Sequence, residues 1–395
     1  MELKTDGALG FVESEVMTKV HYVSGSRADF GLMRRCLEFL NHKPDLEVSL
    51  VLTGQHTAPK YAAGRADAIE SGLHILAEIP VTLSGTSGHE MGAALAVELQ
   101  GFLELWSDVA PDLVLVLGDR GEMLAATLAA VHLGIHVAHI HGGERSGTLD
   151  ESFRHAISKL AHYHFPSTDE ARQRLERMGE RPDHIVTIGA PGLVGLRDSL
   201  GAQPSLAERF GLSTQGLAML VVFHPVVQEA AEIGAQVETL LDVLRQTPSH
   251  GVMFRPNSDA GAAEIESAID AFQSEDGISS RFAILDHLER DAYLGCMQMA
   301  DIMLGNSSSG IIESASFGTA CVNIGSRQNG RQRNDNTVHC PELTHEALRH
   351  AIDQAASLTP PFCNQYGDGT ADMKLYDAIC GLSFDPADLS KFNQY

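Results

Sequence analysis

Residues Leu113 to Phe165 alternate short apolar runs with helix-length segments: LVLVLGDRGEMLAATLAAVHLGIHVAHIHGGERSGTLDESFRHAISKLAHYHF. Leu113 to Leu117 is continuously apolar, which suits a parallel strand covered on both faces. Gly118-Asp119-Arg120 follows at once, so Asp119 falls where a strand hands over to a helix, on the usual ligand side of open α/β sheets. Ile135 to Ile140 repeats the pattern and ends in His141-Gly142-Gly143-Glu144-Arg145-Ser146-Gly147. The helix expected next carries Asp150, Glu151, Arg154 and His155, with Asp150 and Arg154 four apart on one face. Two βα units therefore share one polar edge. A merely structural loop has no use for so many ionisable groups.

The same alternation extends both ways. Lys19 to Val23 reads as the first strand, followed by SGSRADFG, in which Asp29 can cap a helix with Met33, Cys36, Leu37 and Leu40 on one stripe. Glu47 to Leu52 reads as the next strand, residues 56–92 as a glycine-rich, less regular segment able to cover a cleft, and Ala93 to Val109 as a helix carrying Trp106, a packing residue. A helix is expected over Ala171 to Met178, a strand over Ile185 to Ile188, and a linker near 192–215. Beyond it the alternation restarts: Ala218 to Phe223 ends in His224-Pro225, Val252 to Phe254 leads into Arg255-Pro256-Asn257, Ile302 to Leu304 closes on GNSSSG, and Ala320 to Ile324 on GSRQNGR. Two successive alternations predict an α/β chain of two Rossmann-like domains facing across a cleft. The expected limits are a flexible extension over 1–18, an N-terminal domain over 19–200, a C-terminal nucleotide-binding domain over 201–375, and a segment over 376–395 that can pack back on the first domain.

Length supports two cores, since 395 residues exceed what one usually serves. Lys and Arg total 28 against 52 Asp and Glu, a net charge of −24 that argues against nucleic acid or an anionic membrane as partner. An anionic nucleotide would need a locally positive pocket. The six cysteines have no paired spacing and suit free thiols in a reducing compartment. No apolar run reaches the roughly 18 residues of a spanning helix, and the first sixteen residues lack the basic and apolar regions of a secretory signal. A cytoplasmic location is expected.

GDR, HGGERSGTLDESFRHAISKLAHYH, FHP, GNSSSGIIE and NIGSRQNGR, in that order, resemble the hydrolysing UDP-N-acetylglucosamine 2-epimerases of sialic-acid-type sugar biosynthesis, over about Val20 to Gly369. The resemblance implies the glycosyltransferase-B arrangement of two domains, a nucleotide sugar as small-molecule partner, no cofactor, no metal for chemistry, and a homodimer or homotetramer. It also implies the reaction: removal of the C2 proton, loss of UDP to give a 2-acetamidoglucal, and addition of water to give N-acetylmannosamine. Asp119 and Asp150 match family catalytic aspartates, Arg154 an arginine on the same helix, and His224 the catalytic histidine, whose titration range suits proton transfer. His141 stands where well-studied members have a glutamate; it can act as a general base near neutral pH, or mark a different substrate such as the diacetamido-trideoxy sugar nucleotide of the legionaminic acid pathway.

For the nucleotide and diphosphate the candidates are Arg27, Asn257, Asn306, Ser307, Ser308, Ser309, Gly310, Glu313 and Arg327. A serine-glycine turn ahead of a helix offers N–H groups, hydroxyls and the helix dipole to an anion. Glu313 resembles the family glutamate that accepts ribose hydroxyls, and Arg27 an arginine near the nucleotide sugar. Two other readings stay open. His139 and His141 with Asp119 and Asp150 have the ligand types of a metal-dependent hydrolase, and the fold also serves non-catalytic nucleotide-sugar binding.

Overall fold

The computed structural model describes residues 17–58, 62–82, 88–145, 150–196, 201–226, 229, 231–256 and 261–394. Six parallel strands form the first sheet: β1 (Thr18–Ser24), β2 (Leu46–Leu52), β3 (His74–Glu78), β4 (Leu113–Leu117), β5 (His136–Ile140) and β6 (Tyr163–Phe165). Their spatial order is β3-β2-β1-β4-β5-β6. The second sheet holds β7 (Leu217–Val222), β8 (Ser249–Phe254), β9 (Phe282–Leu285), β10 (Ile302–Gly305), β11 (Ala320–Ile324) and β12 (Thr337–Cys340), ordered β12-β11-β10-β7-β8-β9. Each sheet is doubly wound: the chain builds outward from a central strand, then returns to build the other way. The reversal falls between β1 and β4 in one sheet and between β7 and β10 in the other. Loops leaving neighbouring strands in opposite directions open a crevice at their carboxyl ends, where ligands of such sheets bind.

The strands are continuous apolar runs because helices cover both faces. Against one face of the first sheet lies α1 (Arg27–Asn41), contributing Phe30, Met33, Cys36, Leu37 and Leu40. Against the other lie α3 (Gly88–Asp108) and α4 (Gly121–His132). Trp106 is buried there, stacked on Phe102, and its Nε1 donates to His21 Nδ1 at 3.2 Å. In the second domain Gly305, at φ 143°, lets β10 approach β7 so closely that a Cβ would lie 1.9 Å from Val222 O. A side chain there would part the strands at the reversal point.

Two expectations meet different structure. Within 56–92 the chain forms α2 (Ala62–Glu70) and the edge strand β3; residues 59–61 and 83–87 lie outside the described residues. β3 escapes notice in the sequence because it is five residues long and only half covered, so its pattern is weak. Ile185 to Ile188 runs beside β6, Val186 N donating to His164 O at 2.9 Å and Ile188 N to Pro166 O at 3.1 Å, yet makes only an isolated bridge at Ile185. Pro166 has no N–H to return the next ladder bond.

The chain ends on the domain where it began. Helix Ala371–Cys380 places Ala371, Leu375, Ala378 and Ile379 in the core beneath α1, so the return begins before the expected boundary at 375. Their spacing puts all four on one helical face. Tyr376 Oη then donates to Asp45, Tyr163 Oη to Ser383 O, and Lys391 Nζ lies 2.6 Å from Glu180 Oε2. Among the described residues no helix is long and apolar enough to cross a membrane. Leu375 is fully buried; Leu375→Ala is expected to cost about 2–5 kcal/mol of stability in urea unfolding. An unchanged midpoint would show that this helix contributes little to the first core.

Candidate active site

At the first reversal point β1 ends in the turn that starts α1. Ser26 caps the helix and Asp29 bonds back to it, Oδ2 accepting from Ser26 N at 2.7 Å and Gly25 N at 3.1 Å. Burial pushes the Asp29 carboxyl up to about 6, against the pull of its Ser24 and Ser26 hydrogen bonds. The turn is thereby rigid, and it projects Arg27 across the cleft. Arg27 Nε meets Asp67 Oδ2 at 2.5 Å, while Nη1 and Nη2 reach His287 Nε2 and Glu289 Oε1 of the second domain, both at 3.1 Å.

The strand ends of β4 and β5 bring together groups that are far apart in sequence. Arg154, on α5 (Asp150–Leu160), is buried; its Nη2 is ion-paired with Asp119 Oδ2, and its Nη1 donates to His141 O and Glu144 Oε2, both at 3.3 Å. His141 sits at φ 62°, a left-handed conformation that costs a non-glycine residue about 1 kcal/mol. The bond from Arg154 to its carbonyl and that from its own N–H to Phe165 O, at 3.2 Å, hold it there. This twist turns the imidazole so that Nδ1 lies 2.7 Å from Glu144 Oε1, while Nε2 is buried without a partner. Glu144 also accepts from Ser167 Oγ and from Arg331 Nη1, the latter 3.2 Å away on the second domain. Burial alone would raise the Glu144 carboxyl; His141, Arg331 and Arg154 outweigh it and hold the group well below the usual carboxylate range.

His139 is wholly buried, with Nε2 2.7 Å from Gly118 O and Nδ1 3.0 Å from Ser158 Oγ. Because a carbonyl only accepts, Nε2 carries the proton and Nδ1 takes the serine's. Burial lowers its pKa to about 3, so it is neutral and clamps the GDR turn. The one lone pair that a metal could use at His139, on Nδ1, is thus engaged. Among the described residues no group of three or more His, Cys, Asp or Glu is placed to hold a metal ion.

Across the cleft, Asn306 joins the two turns at the second reversal point. Its Oδ1 accepts from His224 N and its Nδ2 donates to His224 O, each at 2.8 Å. Asn306 is buried, and its amide is used on backbone. Its own carbonyl accepts from Arg327 Nη1 at 3.1 Å and Gln328 Nε2 at 3.0 Å. Ser307 caps the short helix Ser308–Ile312, and the Ser309 hydroxyl lies 2.9 Å from Ser307 Oγ and 2.6 Å from Tyr293 Oη. Gly310 is buried where a Cβ would meet Cys321 Sγ at 2.8 Å. Glu313 Oε1 pairs with Arg290 Nη2 at 2.7 Å, and its Oε2 is buried without a hydrogen-bond partner.

Of the candidates, Asp119, His141 and Arg154 form one connected group; His224, Asn306, Ser307, Ser308, Ser309, Gly310, Glu313 and Arg327 cluster on the facing domain; Arg27 bridges the two. Asn257 and the side chain of Asp150 lie outside the described residues, although Asp150 begins α5. Arg290, Tyr293 and Gln328 escape sequence reasoning, since each is a lone polar residue without a motif. Glu98 and Glu122, buried behind the GDR turn, escape it too. Glu122 Oε1 takes Arg120 Nε at 2.5 Å.

Two facing doubly wound domains, with polar turns converging from both reversal points, define the glycosyltransferase-B class of nucleotide-sugar folds. A family model described as UDP-N-acetylglucosamine 2-epimerase matches residues 38–380. The chain is 40% identical over 384 residues to a UDP-N,N'-diacetylbacillosamine 2-epimerase (hydrolyzing) of Legionella pneumophila, covering 96% of this chain and all of the relative. It is 31% identical to a UDP-N-acetylglucosamine 2-epimerase of Neisseria meningitidis, covering 87% and 88%. In fold it is similar to the crystal structure of a UDP-GlcNAc 2-epimerase from Neisseria meningitidis bound to UDP-GlcNAc, with TM-score 0.74, 17% identity, and coverage of 92% and 100%. The chain belongs to the UDP-N-acetylglucosamine 2-epimerase family.

Burial, with Glu122 nearby, pushes the Glu98 carboxyl up to about 7; Thr53 Oγ1 is 2.9 Å away. A carboxyl raised in the folded state contributes stability that is full below its unfolded value of about 4.3 and is lost as pH climbs toward 7. Glu98→Gln keeps a partner for Thr53 and removes that loss. Its stability relative to wild type in urea unfolding is expected to improve by about 1 kcal/mol per pH unit between pH 5 and 7. A pH-independent difference would place Glu98 ionised throughout.

Proposed function

We propose that the protein is a hydrolysing 2-epimerase that converts UDP-N-acetylglucosamine to N-acetylmannosamine and UDP. One observation carries the reading. Buried polar atoms without partners, His141 Nε2 and Arg154 Nε in the first domain and Glu313 Oε2 in the second, belong to the turns and helices that follow the strands at the reversal points, and a nucleotide sugar would supply what they lack. Leaving such atoms unpaired costs about 1–3 kcal/mol each, which a bound ligand would recover.

In this mechanism the turn Ser307 to Gly310, with Asn306 behind it, receives the diphosphate through N–H groups and hydroxyls. Glu313 Oε2 accepts a ribose hydroxyl while Arg290 holds the other oxygen. Arg27, Arg327 and Asn257 complete the nucleotide and diphosphate contacts, and His224 hydrogen-bonds the departing phosphate or returns a proton to it. His141 Nε2 takes the C2 proton; the C2–H pair becomes the C1=C2 bond, and UDP leaves with the C1–O pair. The product of this step is the 2-acetamidoglucal. Water then adds, its hydroxyl to C1 and a proton to C2 from the opposite face, with Asp119 and Asp150 managing that proton traffic. Arg154 fixes Asp119 and the His141 carbonyl, so a single arginine orients both sides of the acid–base pair. Positioned proton transfer contributes roughly 10²- to 10⁴-fold, and aligned charge at the leaving group adds more.

The same chemistry on UDP-N,N'-diacetylbacillosamine is the second reading, favoured by the 40% identical relative, whose name carries that substrate. Proton NMR of chelator-treated protein in deuterated water separates the possibilities. Free N-acetylmannosamine deuterated at C2, together with UDP, supports the proposal; turnover of the diacetamido sugar nucleotide alone moves the assignment to the second substrate. Activity with neither, restored by a divalent cation, would replace both with a metal-dependent hydrolase. Asp119→Asn and Asp150→Asn are expected to bind UDP while losing turnover by at least about a hundredfold. Near-normal rates would remove these carboxylates from the chemistry.

A further inference from the structure

Glu144 is the point where the two domains share charge. Oε1 accepts from His141 Nδ1 at 2.7 Å and from Ser167 Oγ; Oε2 accepts from Arg154 Nη1 at 3.3 Å and Arg331 Nη1 at 3.2 Å. Three of these four donors belong to the first domain. Arg331 alone comes from the second, on the loop after β11. The residue before it, Gly330, has φ 86° and stands so close to Arg145 that a Cβ would lie 3.1 Å from Arg145 Cβ. The loop therefore seats backbone-first against the His141 turn, and its arginine enters beside it.

The charges around His141 can be counted. Asp119 and Glu144 are negative, Arg154 and Arg331 positive, and the four are linked in one chain of ion pairs. His139 is neutral, with both ring nitrogens engaged. Tyr366, behind Glu144, is kept un-ionised by burial. Arg174 donates to Gly143 O and is balanced by Glu170 at 2.5 Å, and Arg145, beside Glu144 on the turn, points toward the Gly330 loop. Glu151, on the same helix as Arg154, adds a further negative charge beside that arginine. Removing the Arg331 guanidinium makes the surroundings of His141 more negative by one charge, which favours a proton on the imidazole.

We infer that Arg331 is a positioning residue: reaching Glu144 from the second domain, its charge disfavours a second proton on His141 and so frees Nε2 to act as a base. Glu144 keeps Nδ1 protonated, and the proton at issue is the one on Nε2, the buried atom without a partner. The inference rests on the proposed reading of His141 as the base at C2. It deepens that reading by naming the side chain that sets the charge beside the base.

The test is the imidazole titration of His141 followed by NMR in isotopically histidine-labelled full-length protein with saturating UDP, the signal being assigned by its loss in His141→Gln. Arg331→Gln is expected to raise the His141 midpoint by about one pH unit, the size of effect one charge at ion-pair range exerts. Arg331→Lys, which keeps the charge, is expected to restore most of the shift. Arg35→Gln removes a different pair across the domains, Arg35 to Asp291 at 3.2 Å, and is expected to leave the midpoint in place. The acidic limb of the kcat profile should move with the midpoint in Arg331→Gln, while rates converge at high pH. An unmoved midpoint in Arg331→Gln, or an equal shift in Arg35→Gln, overturns the inference. The midpoint is read without turnover, so failure of the base assignment shows separately, as normal turnover by His141→Gln.

Discussion

Arg154 is the side chain on which the first half of the site depends. It is an arginine with nearly all its surface removed from water, and a charge so placed survives only if its donors are answered. Asp119, Glu144 and the carbonyl of His141 answer its two Nη groups, leaving only Nε without a partner, and each is thereby fixed: a strand end, a glycine turn and a left-handed residue are held by one planar fork. A lysine could not do this, since its ammonium offers no rigid fork. Helix α5 supplies the arginine, and α5 is positioned by its packing beside α4 and against β5. The chemistry of the turn is thus set by a helix that begins nine residues further on.

Much of this was legible in the sequence because it is carried by local pattern. Apolar runs ending in polar turns gave the strands that bear Asp119, His141, His224 and Asn306, and the order of motifs gave the family. What was not legible is pairing across distance. Nothing in the sequence ties Arg331 to Glu144, 187 positions away, or Arg290 to Glu313. Asn306 was expected at the ligand, and the structure uses its amide to join two backbone turns. Edge strand β3 lies where the sheet is half covered, and there the hydrophobic signal that marks a strand fades; the apolar run 185–188 has the signal, but the proline beside it on β6's side, which interrupts the ladder, is invisible to local pattern.

The strongly acidic chain and its anion-binding proposal are compatible because the cations are concentrated. Arg27, Arg154, Arg290, Arg327 and Arg331 all lie at the strand ends facing the cleft, and four of them are held by named carboxylates. Each such carboxylate fixes a guanidinium in place before any ligand arrives, so less freedom is lost on binding. The rest of the chain is left to carry the excess negative charge, which favours solubility.

The last helix, Ala371–Cys380, belongs to the first core, and this has a consequence for how the chain is made. Domains emerging from a ribosome usually fold from the N-terminus onward. Here the first domain lacks four of its buried residues until the whole second domain has been synthesised. The second domain is the earlier of the two to have all its parts, and the first waits, with part of its α1 surface uncovered, for a segment that starts only after the second domain's last strand and helix have been made. Nascent chains stalled before residue 371 would therefore expose an apolar groove beside α1 that chaperones can hold, and release of the final segment would close both domains into the working enzyme together.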